Sequence, residues 1–267
     1  PPPPPSRLPR PPPTPTLRST RRQRQMCIRD RLLVERGFAQ TRKKALAILL
    51  SGAVLVDGQK QEKGGTQVES NVEIRLLGRT DKYVSRGGLK LEGALGSLEL
   101  KVAGAVCLDL GASTGGFTDC LLQAGALKVH AFDVGAGQLD WSLQRDPRVI
   151  MHDRFNVRYL TPAVVGEAVS LIVGDLSFIS IKQILIPLQS FSNAAILLLV
   201  KPQFEAKREE VEPGGLILDS RKHREIVERV KSFAREQGFS VLGEVPSPVL
   251  GRKGNQEVFL YLKYAKV

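Results

Sequence analysis

From Val106 to Tyr264 the apolar residues follow two rhythms. Short, nearly continuous runs such as Val129-His130-Ala131-Phe132 and Ala195-Ile196-Leu197-Leu198-Leu199-Val200 alternate with stretches where apolar positions recur every three or four residues. The first rhythm predicts strands covered on both faces, the second amphipathic helices. Strands are expected at 106–110, 128–133, 149–152, 170–175, 194–200, 239–245 and 257–264. Helices are expected between them, notably at 116–124, 180–190 and 221–237. Alternation of this kind defines an α/β fold, Rossmann-like, with seven strands. Only Pro246 to Gln256 joins the last two strands, so one of them is expected to run antiparallel.

The chain before Val106 reads differently. Leu32, Leu33 and Val34 precede Glu35-Arg36-Gly37, a short helix closed by glycine. Thr41 is an N-cap for a helix from Arg42 to Leu50, stopped at Ser51-Gly52. Arg42, Lys43 and Lys44 crowd that helix's first turn, where they oppose its dipole, and a local cost of this kind points to an external anion. Val54-Leu55-Val56, the turn Asp57-Gly58 and a later Val72–Leu76 predict a strand, a tight turn and a return strand. Residues 79–104 are read as a linker and entry helix, with Arg86-Gly87-Gly88 as a flexible lead-in to Leu89, Lys90 and Leu91.

Composition changes the picture at the front. Ten of the 17 prolines fall within residues 1–25, a segment that cannot bury a core. The run Arg24-Gln25-Met26-Cys27-Ile28-Arg29-Asp30-Arg31 resembles a translated sequencing-adapter remnant. Residues 1–31 are therefore expected to be a disordered, non-native leader rather than a basic nucleic-acid arm. The net charge is +12, but residues 1–31 hold eight Arg against one Asp, and residues 32–86 hold ten Lys or Arg against six Asp or Glu. The remainder is almost neutral, so any attraction to phosphate backbones belongs to the front of the chain.

Other classes are disfavoured. The longest aliphatic run, Ala194 to Val200, is far too short to span a bilayer. Cys27, Cys107 and Cys120 form no spaced pair, and His130, His152 and His223 have no metal-ligand spacing. No metal is expected, and a reducing cytoplasm is the default location.

The candidate chemistry centres on Leu108-Asp109-Leu110-Gly111-Ala112-Ser113-Thr114-Gly115-Gly116-Phe117, where a strand, a glycine-rich turn and a helix start meet. Asp133 ends the next strand, 22 residues after Gly111, where an acid that binds ribose hydroxyls is expected. A dinucleotide site wants G-x-G-x-x-G, but this turn reads G-A-S-T-G-G. S-adenosylmethionine, which has a ribose and an ammonium but no phosphate, is the alternative, and a tight turn without ligand is the third reading. In the S-adenosylmethionine reading, Gly111, Ser113, Thr114, Gly115 and Gly116 cradle the cofactor. Asp109 then lies near its amino-acid tail, Asp133 on its ribose, and Asp153 and Asn156 near its adenine. Asp175 and Lys201 follow apolar strands, at the carboxyl ends where such sheets bind ligands; Lys90 stands on the preceding helix and Glu257 at the start of the last strand. Two ordinary salt bridges are the bland reading of these four. Phe178 is either a core aromatic or a platform for a nucleobase.

Two resemblances sharpen this. Leu33-Val34-Glu35-Arg36-Gly37, Thr41-Arg42-Lys43-Lys44-Ala45 and Gly52-Ala53-Val54-Leu55-Val56-Asp57-Gly58 resemble the small α+β RNA-binding domain shared by ribosomal protein S-four, pseudouridine synthases and tyrosyl-tRNA synthetases. That resemblance covers about 32–78 and implies that Arg36, Arg42, Lys43, Lys44 and Lys60 face RNA phosphates. The family's usual Arg-Leu-Asp lead is replaced by Arg29-Asp30-Arg31. Residues 32–267 as a whole resemble TlyA-type ribosomal-RNA methyltransferases, and 105–267 the FtsJ-like ribose 2′-O-methyltransferases. The matching runs are Val84-Ser85-Arg86-Gly87-Gly88-Leu89-Lys90-Leu91, the Asp109–Phe117 turn, Gly174-Asp175-Leu176-Ser177-Phe178, Val200-Lys201-Pro202-Gln203-Phe204-Glu205 and Asn255-Gln256-Glu257-Val258. The resemblance implies a seven-stranded S-adenosylmethionine-dependent methyltransferase fold and a catalytic tetrad of Lys90, Asp175, Lys201 and Glu257. It also implies a cytidine 2′-oxygen in ribosomal RNA as the acceptor, and RNA or ribosomal subunits as partners.

The chemistry of the residues agrees. A ribose hydroxyl must lose its proton as the methyl arrives, and a lysine assists only when neutral. Rival methylations fit less well: Asp-Leu-Ser-Phe stands where exocyclic amine methylation uses Asn/Asp-Pro-Pro-aromatic, and neither Cys107 nor Cys120 sits on a loop suited to attack a pyrimidine. TlyA-type proteins also carry the label haemolysin. A membrane-active protein and a catalytically silent RNA-binding module therefore stay as alternatives, although the chain has no span and no amphipathic barrel repeat. The sequence leaves the modified nucleotide and the oligomeric state open.

Overall fold

The computed structural model describes residues 25–27, 31–36, 38–39, 41–50, 53–61, 67–69, 72–76, 82–251 and 253–265. The chain divides into two compact units, with the division between residues 78 and 79.

In the first unit, β1 (Gln25–Cys27) is followed by α1 (Arg31–Glu35) and α2 (Arg42–Leu50). Then come β2 (Val54–Val56), β3 (Gln59–Gln61), β4 (Gln67–Glu69) and β5 (Ile74–Leu76). Thr41 caps α2, its Oγ1 accepting the Lys44 N–H at 3.2 Å. Ala45 and Leu49 face inward from α2 and pack with Leu32, Leu33, Val54, Val56 and Ile74. Arg42, Lys43 and Lys44 are exposed on the opposite face.

The turn Asp57-Gly58 has φ of +47° and +80°, the left-handed pair a two-residue hairpin needs. It returns the chain into β3, not into the 72–76 segment. That later segment pairs with the other edge of β2, giving the order β3-β2-β5. Asp57 ties this second edge down by accepting the Glu73 N–H at 2.8 Å. Gln25–Cys27, inside the segment expected to be a disordered leader, forms β1 and pairs antiparallel with β4. All ten prolines of that segment precede residue 16, so these residues keep the N–H groups that a ladder requires. The rest of 1–30, the helix stops Gly37 and Ser51-Gly52, and the Lys60 side chain lie outside the described residues.

The second unit opens with α3 (Gly87–Ser97) and then alternates. β6 (Val106–Leu110), α4 (Gly116–Gln123), β7 (Lys128–Phe132), α5 (Trp141–Gln144) and β8 (Val149–His152) form its first half. α6 (Pro162–Val165), β9 (Leu171–Gly174), α7 (Lys182–Leu188), β10 (Ala195–Val200) and α8 (Pro202–Glu205) follow. α9 (Ser220–Glu236), β11 (Phe239–Pro246) and β12 (Val258–Tyr264) complete it. The seven strands lie in the order β11-β12-β10-β9-β6-β7-β8, with β12 antiparallel to both its neighbours, as the short last connection requires.

Successive side chains of each strand go to opposite faces, and in the central strands β6, β7, β9 and β10 both faces are buried. Ile196, Leu198 and Val200 of β10 pack under α7 and α9 with Ile184, Leu188, Val227 and Val230. Leu197 and Leu199 pack on the other face with Leu91 and Leu95 of α3 and Phe117 and Leu121 of α4. The expected flexible lead-in at Gly87-Gly88 is instead the first turn of α3. Glycine is needed there for contact: a Cβ on Gly88 would lie 2.2 Å from the Tyr83 ring, and one on Gly116 would lie 3.0 Å from the Gly88 nitrogen. The starts of α3 and α4 thus touch through backbone, and this seats Lys90 at the sheet's end.

Candidate active site

The order of strands creates the site. After β8 the chain returns to the other side of β6, so β6 and β9 flank the switch point where open α/β sheets bind ligands. Gly111 leaves the end of β6 with φ +85°, and a Cβ there would meet the Asp175 carbonyl oxygen at 3.0 Å. Asp175 directly follows β9 and Lys201 directly follows β10. β12 runs the other way, and Val200 pairs with Val258, so Glu257 just before β12 arrives at the same edge as Lys201.

A cavity of about 840 Å³ opens at this edge. On one side it is lined by Gly111, Ala112, Ser113, Thr114, Gly116 and Asp133, with Phe132, Phe155 and Asn156 as a wall. On the other side lie Lys90, Asp175, Lys201 and Glu257, with Ser177, Phe178, Gln203 and Phe204. The four charged residues form one connected group. Lys90 Nζ is 2.5 Å from Glu257 Oε2 and 4.0 Å from Asp175 Oδ2. Lys201 Nζ is 2.5 Å from Asp175 Oδ1 and donates to Ser177 Oγ at 2.7 Å. Glu257 is 3% exposed and Lys201 10%, so the two lysines and two acids pair with each other largely out of water.

Asp133 accepts the Ser113 N–H at 2.8 Å through one carboxylate oxygen and the Gly135 N–H at 2.7 Å through the other. It fixes the glycine turn, where Ser113 has φ +49°, and still has lone pairs facing the cavity. Phe178 is 91% exposed, has φ +63°, and its ring lies 5.3 Å from that of Phe204. A bulky residue held in the left-handed region and in solvent is not a core aromatic.

The family-model comparison decides what kind of protein carries this site: the FtsJ-like methyltransferase model matches residues 83–264, and an S4 domain model matches 30–74. The chain belongs to the FtsJ-like methyltransferase family. Over 237 residues it is 44% identical to the 16S/23S rRNA (cytidine-2′-O)-methyltransferase TlyA of Mycobacterium tuberculosis, covering 88% of each chain. It is 39% identical over 231 residues to a protein named hemolysin A of Brachyspira hyodysenteriae, covering 85% of this chain and 96% of that one. A solved structure described as a candidate hemolysin from Streptococcus thermophilus superposes with a TM-score of 0.68 at 39% identity, covering 91% of this chain and 90% of that one. Among the described residues no helix is long and apolar enough to cross a membrane.

Not every residue expected at the FtsJ-like site lines the cavity. Gly115 does not: with φ +95°, its missing Cβ makes room for Leu143 and Leu139, 2.3 and 2.8 Å from where it would stand. Asp153 is not part of the cavity lining and accepts the Gly137 N–H at 3.0 Å, while Asn156 lines the cavity and caps the turn after it. Asp109 is wholly buried beneath the glycine turn. Its Oδ2 accepts from Thr118 Oγ1 at 2.7 Å, and its Oδ1 has no hydrogen-bond partner among the described residues. Ser177, Gln203, Phe204, Phe132 and Phe155 were not singled out from sequence; the first three lie within three residues of a tetrad member, which is the signal that could have found them. The unspaced histidines also meet: His130 Nδ1 lies 3.0 Å from His152 Nε2 across β7 and β8, and His130 Nε2 lies 3.0 Å from Glu167. Among the described residues no group of three or more His, Cys, Asp or Glu is placed to hold a metal ion.

Burial pushes the Asp109 carboxyl up to about 7, against the Thr118 hydroxyl and with help from the charges of Asp175 and Asp133. The native state therefore holds this proton more tightly than the unfolded chain. Stability from this group is fullest below about pH 4 and is lost as pH rises toward 7, by about 1.4 kcal/mol per pH unit at the steepest. Asp109→Asn keeps an acceptor for Thr118 but has no charge to bury. Denaturant unfolding between pH 4 and pH 8 should show the variant gaining on the parent up to pH 7 and level beyond it; parallel curves would refute the assignment.

Proposed function

We propose that this protein transfers a methyl group from S-adenosylmethionine to the ribose 2′-oxygen of cytidine in ribosomal RNA. The observation that carries the reading is the paired Lys90–Glu257 and Lys201–Asp175 group facing the glycine turn across one cavity. The residues present fit the cofactor. Ser113, Thr114 and Gly116 form a cradle at a helix start, Asp133 offers a fixed carboxylate to ribose hydroxyls, and the half-buried Phe155 offers an apolar surface to a purine. S-adenosylmethionine, when bound, supplies a methyl group on a sulfonium whose sulfur leaves as a neutral thioether.

The chain's own residues manage the acceptor. As the 2′-oxygen forms its bond to carbon, its proton passes to the uncharged amine of Lys201, and Asp175, 2.5 Å away, steadies the ammonium that results. Glu257 fixes Lys90, which balances the second charge of the group. Phe178 stacks on the target base and holds the nucleotide out of its helix. Single-turnover transfer of labelled methyl to ribosomal subunits and to naked ribosomal RNA tests the reading. Label on a 2′-oxygen with either substrate supports it, and label only on base nitrogen or carbon contradicts it. An enzyme of this kind works in the cytoplasm, where ribosomes are made.

The first unit supplies grip. Arg42, Lys43 and Lys44 stand on the exposed face of α2, while Arg36 anchors its own domain by donating to the Val72 carbonyl at 2.6 Å. Replacing Arg42, Lys43 and Lys44 together with Gln should weaken RNA binding and shallow the log–log salt slope by about 2–3, at roughly 0.7–0.9 per phosphate contact, with cofactor affinity unchanged. An unaltered salt slope would show a merely solvated face.

A further inference from the structure

The motif after β10 contains a polar group that the mechanism above does not use. Gln203 lines the cavity beside Lys201, half-buried, and its Oε1 is shielded from water with no hydrogen-bond donor among the described residues. A buried carbonyl without a donor is destabilising, so its persistence at a binding cavity implies a donor carried in by the occupant. The sheet order says which occupant. Gln203 follows β10, and Asp133 follows β7; the two strands are three places apart, about 14 Å at 4.8 Å per strand. Gln203 therefore belongs to the acceptor's half of the cavity, with Phe178 and Phe204.

The loop holding it is built to be rigid. Glu205, two residues on, accepts from Ser180 Oγ at 2.5 Å and from the Ile181 N–H at 2.8 Å. This ties the turn after β10 to the loop after β9 that carries Asp175 and Phe178. Pro202 opens α8 and has no N–H to move to another partner. A side-chain amide on such a loop, beside an aromatic platform, suits the edge of a stacked base, offering one acceptor and one donor.

We infer that Gln203 is the specificity-determining residue for the target base, its side-chain carbonyl accepting a hydrogen bond from the 4-amino group of cytosine. This deepens the proposed function and rests on it. A site whose buried acceptor is left unpaired rejects an analogue lacking the donor, whereas an apolar pocket does so only weakly.

The test compares a ribosomal RNA fragment carrying cytidine at the methylated position with the same fragment carrying pyrimidin-2-one ribonucleoside, which lacks the 4-amino group. With the unaltered protein, kcat/KM for cytidine should exceed that for the analogue by about 10- to 100-fold. Gln203→Met, similar in size but without the amide, should fall on cytidine to the analogue's level and bring the ratio near one. Gln203→Glu keeps an acceptor and should retain most of the preference. Cofactor affinity should be unchanged in both. No preference by the unaltered protein, a parental ratio in Gln203→Met, or a ratio near one in Gln203→Glu would overturn the inference while leaving 2′-O-methylation intact. Absence of any 2′-O-methyl transfer to cytidine would overturn the proposed function, and the inference with it.

Discussion

Lys201→Met is expected to slow single-turnover methyl transfer by about 10²- to 10⁴-fold, the usual contribution of a positioned acid or base. The variant keeps the stem that is buried at the end of β10 and loses the amine that faces Asp175 Oδ1 and Ser177 Oγ. Cofactor affinity should hold, because the glycine turn and Asp133 lie beyond β9 and β6. Lys201→Arg should not rescue transfer, since a guanidinium stays protonated and cannot accept the ribose proton. Near-parental transfer by either variant would remove Lys201 from the proton step and make Lys90, 2.5 Å from Glu257, the candidate.

Asp133→Ala is expected to weaken S-adenosylmethionine binding by about 1.5–3 kcal/mol, the range for hydrogen bonds to a charged group. In Kd this is roughly 10- to 150-fold. Two losses combine. The ribose loses its carboxylate, and the Ser113 and Gly135 N–H groups lose their acceptor, so the turn that forms the cradle is no longer held. Asp133→Asn keeps an acceptor for one of these groups and should fall between. Calorimetric titration of folded protein measures the effect, and an affinity within twofold of the parent's would contradict the ribose assignment.

Much of this architecture could be read from periodicity, because buried parallel strands leave near-continuous apolar runs that few other structures produce. The runs at 106–110, 149–152 and 194–200 became β6, β8 and β10 with little displacement. What periodicity could not give was pairing. The Asp57-Gly58 turn was legible as a hairpin, but which strand returned from it was not, since Gln59-Lys60-Gln61 has no apolar side chain to announce a strand. The glycines divide in the same way. Their clustering marked the turn, yet Gly115 faces Leu139 and Leu143 while Gly116 lines the cavity, a distinction set by φ and by packing rather than by sequence spacing. Asp109 was legible as an acid in the turn but not as a buried one beneath it, because its inward face follows from the alternation of β6 together with the Thr118 hydroxyl on α4. The four charged residues span 167 positions from Lys90 to Glu257, and only the antiparallel insertion of β12 brings the last beside the first.

The claim on which the account turns is that this site methylates the ribose of cytidine in ribosomal RNA. Mass-spectrometric mapping of 2′-O-methylcytidine in ribosomal RNA, from cells with and without the gene and from RNA treated with the purified protein, tests it most directly. The account predicts at least one cytidine that carries the 2′-O-methyl mark only when the protein is present, and that loses it with Lys201→Met. Identical ribose-methylation maps with and without an active, folded protein would contradict it.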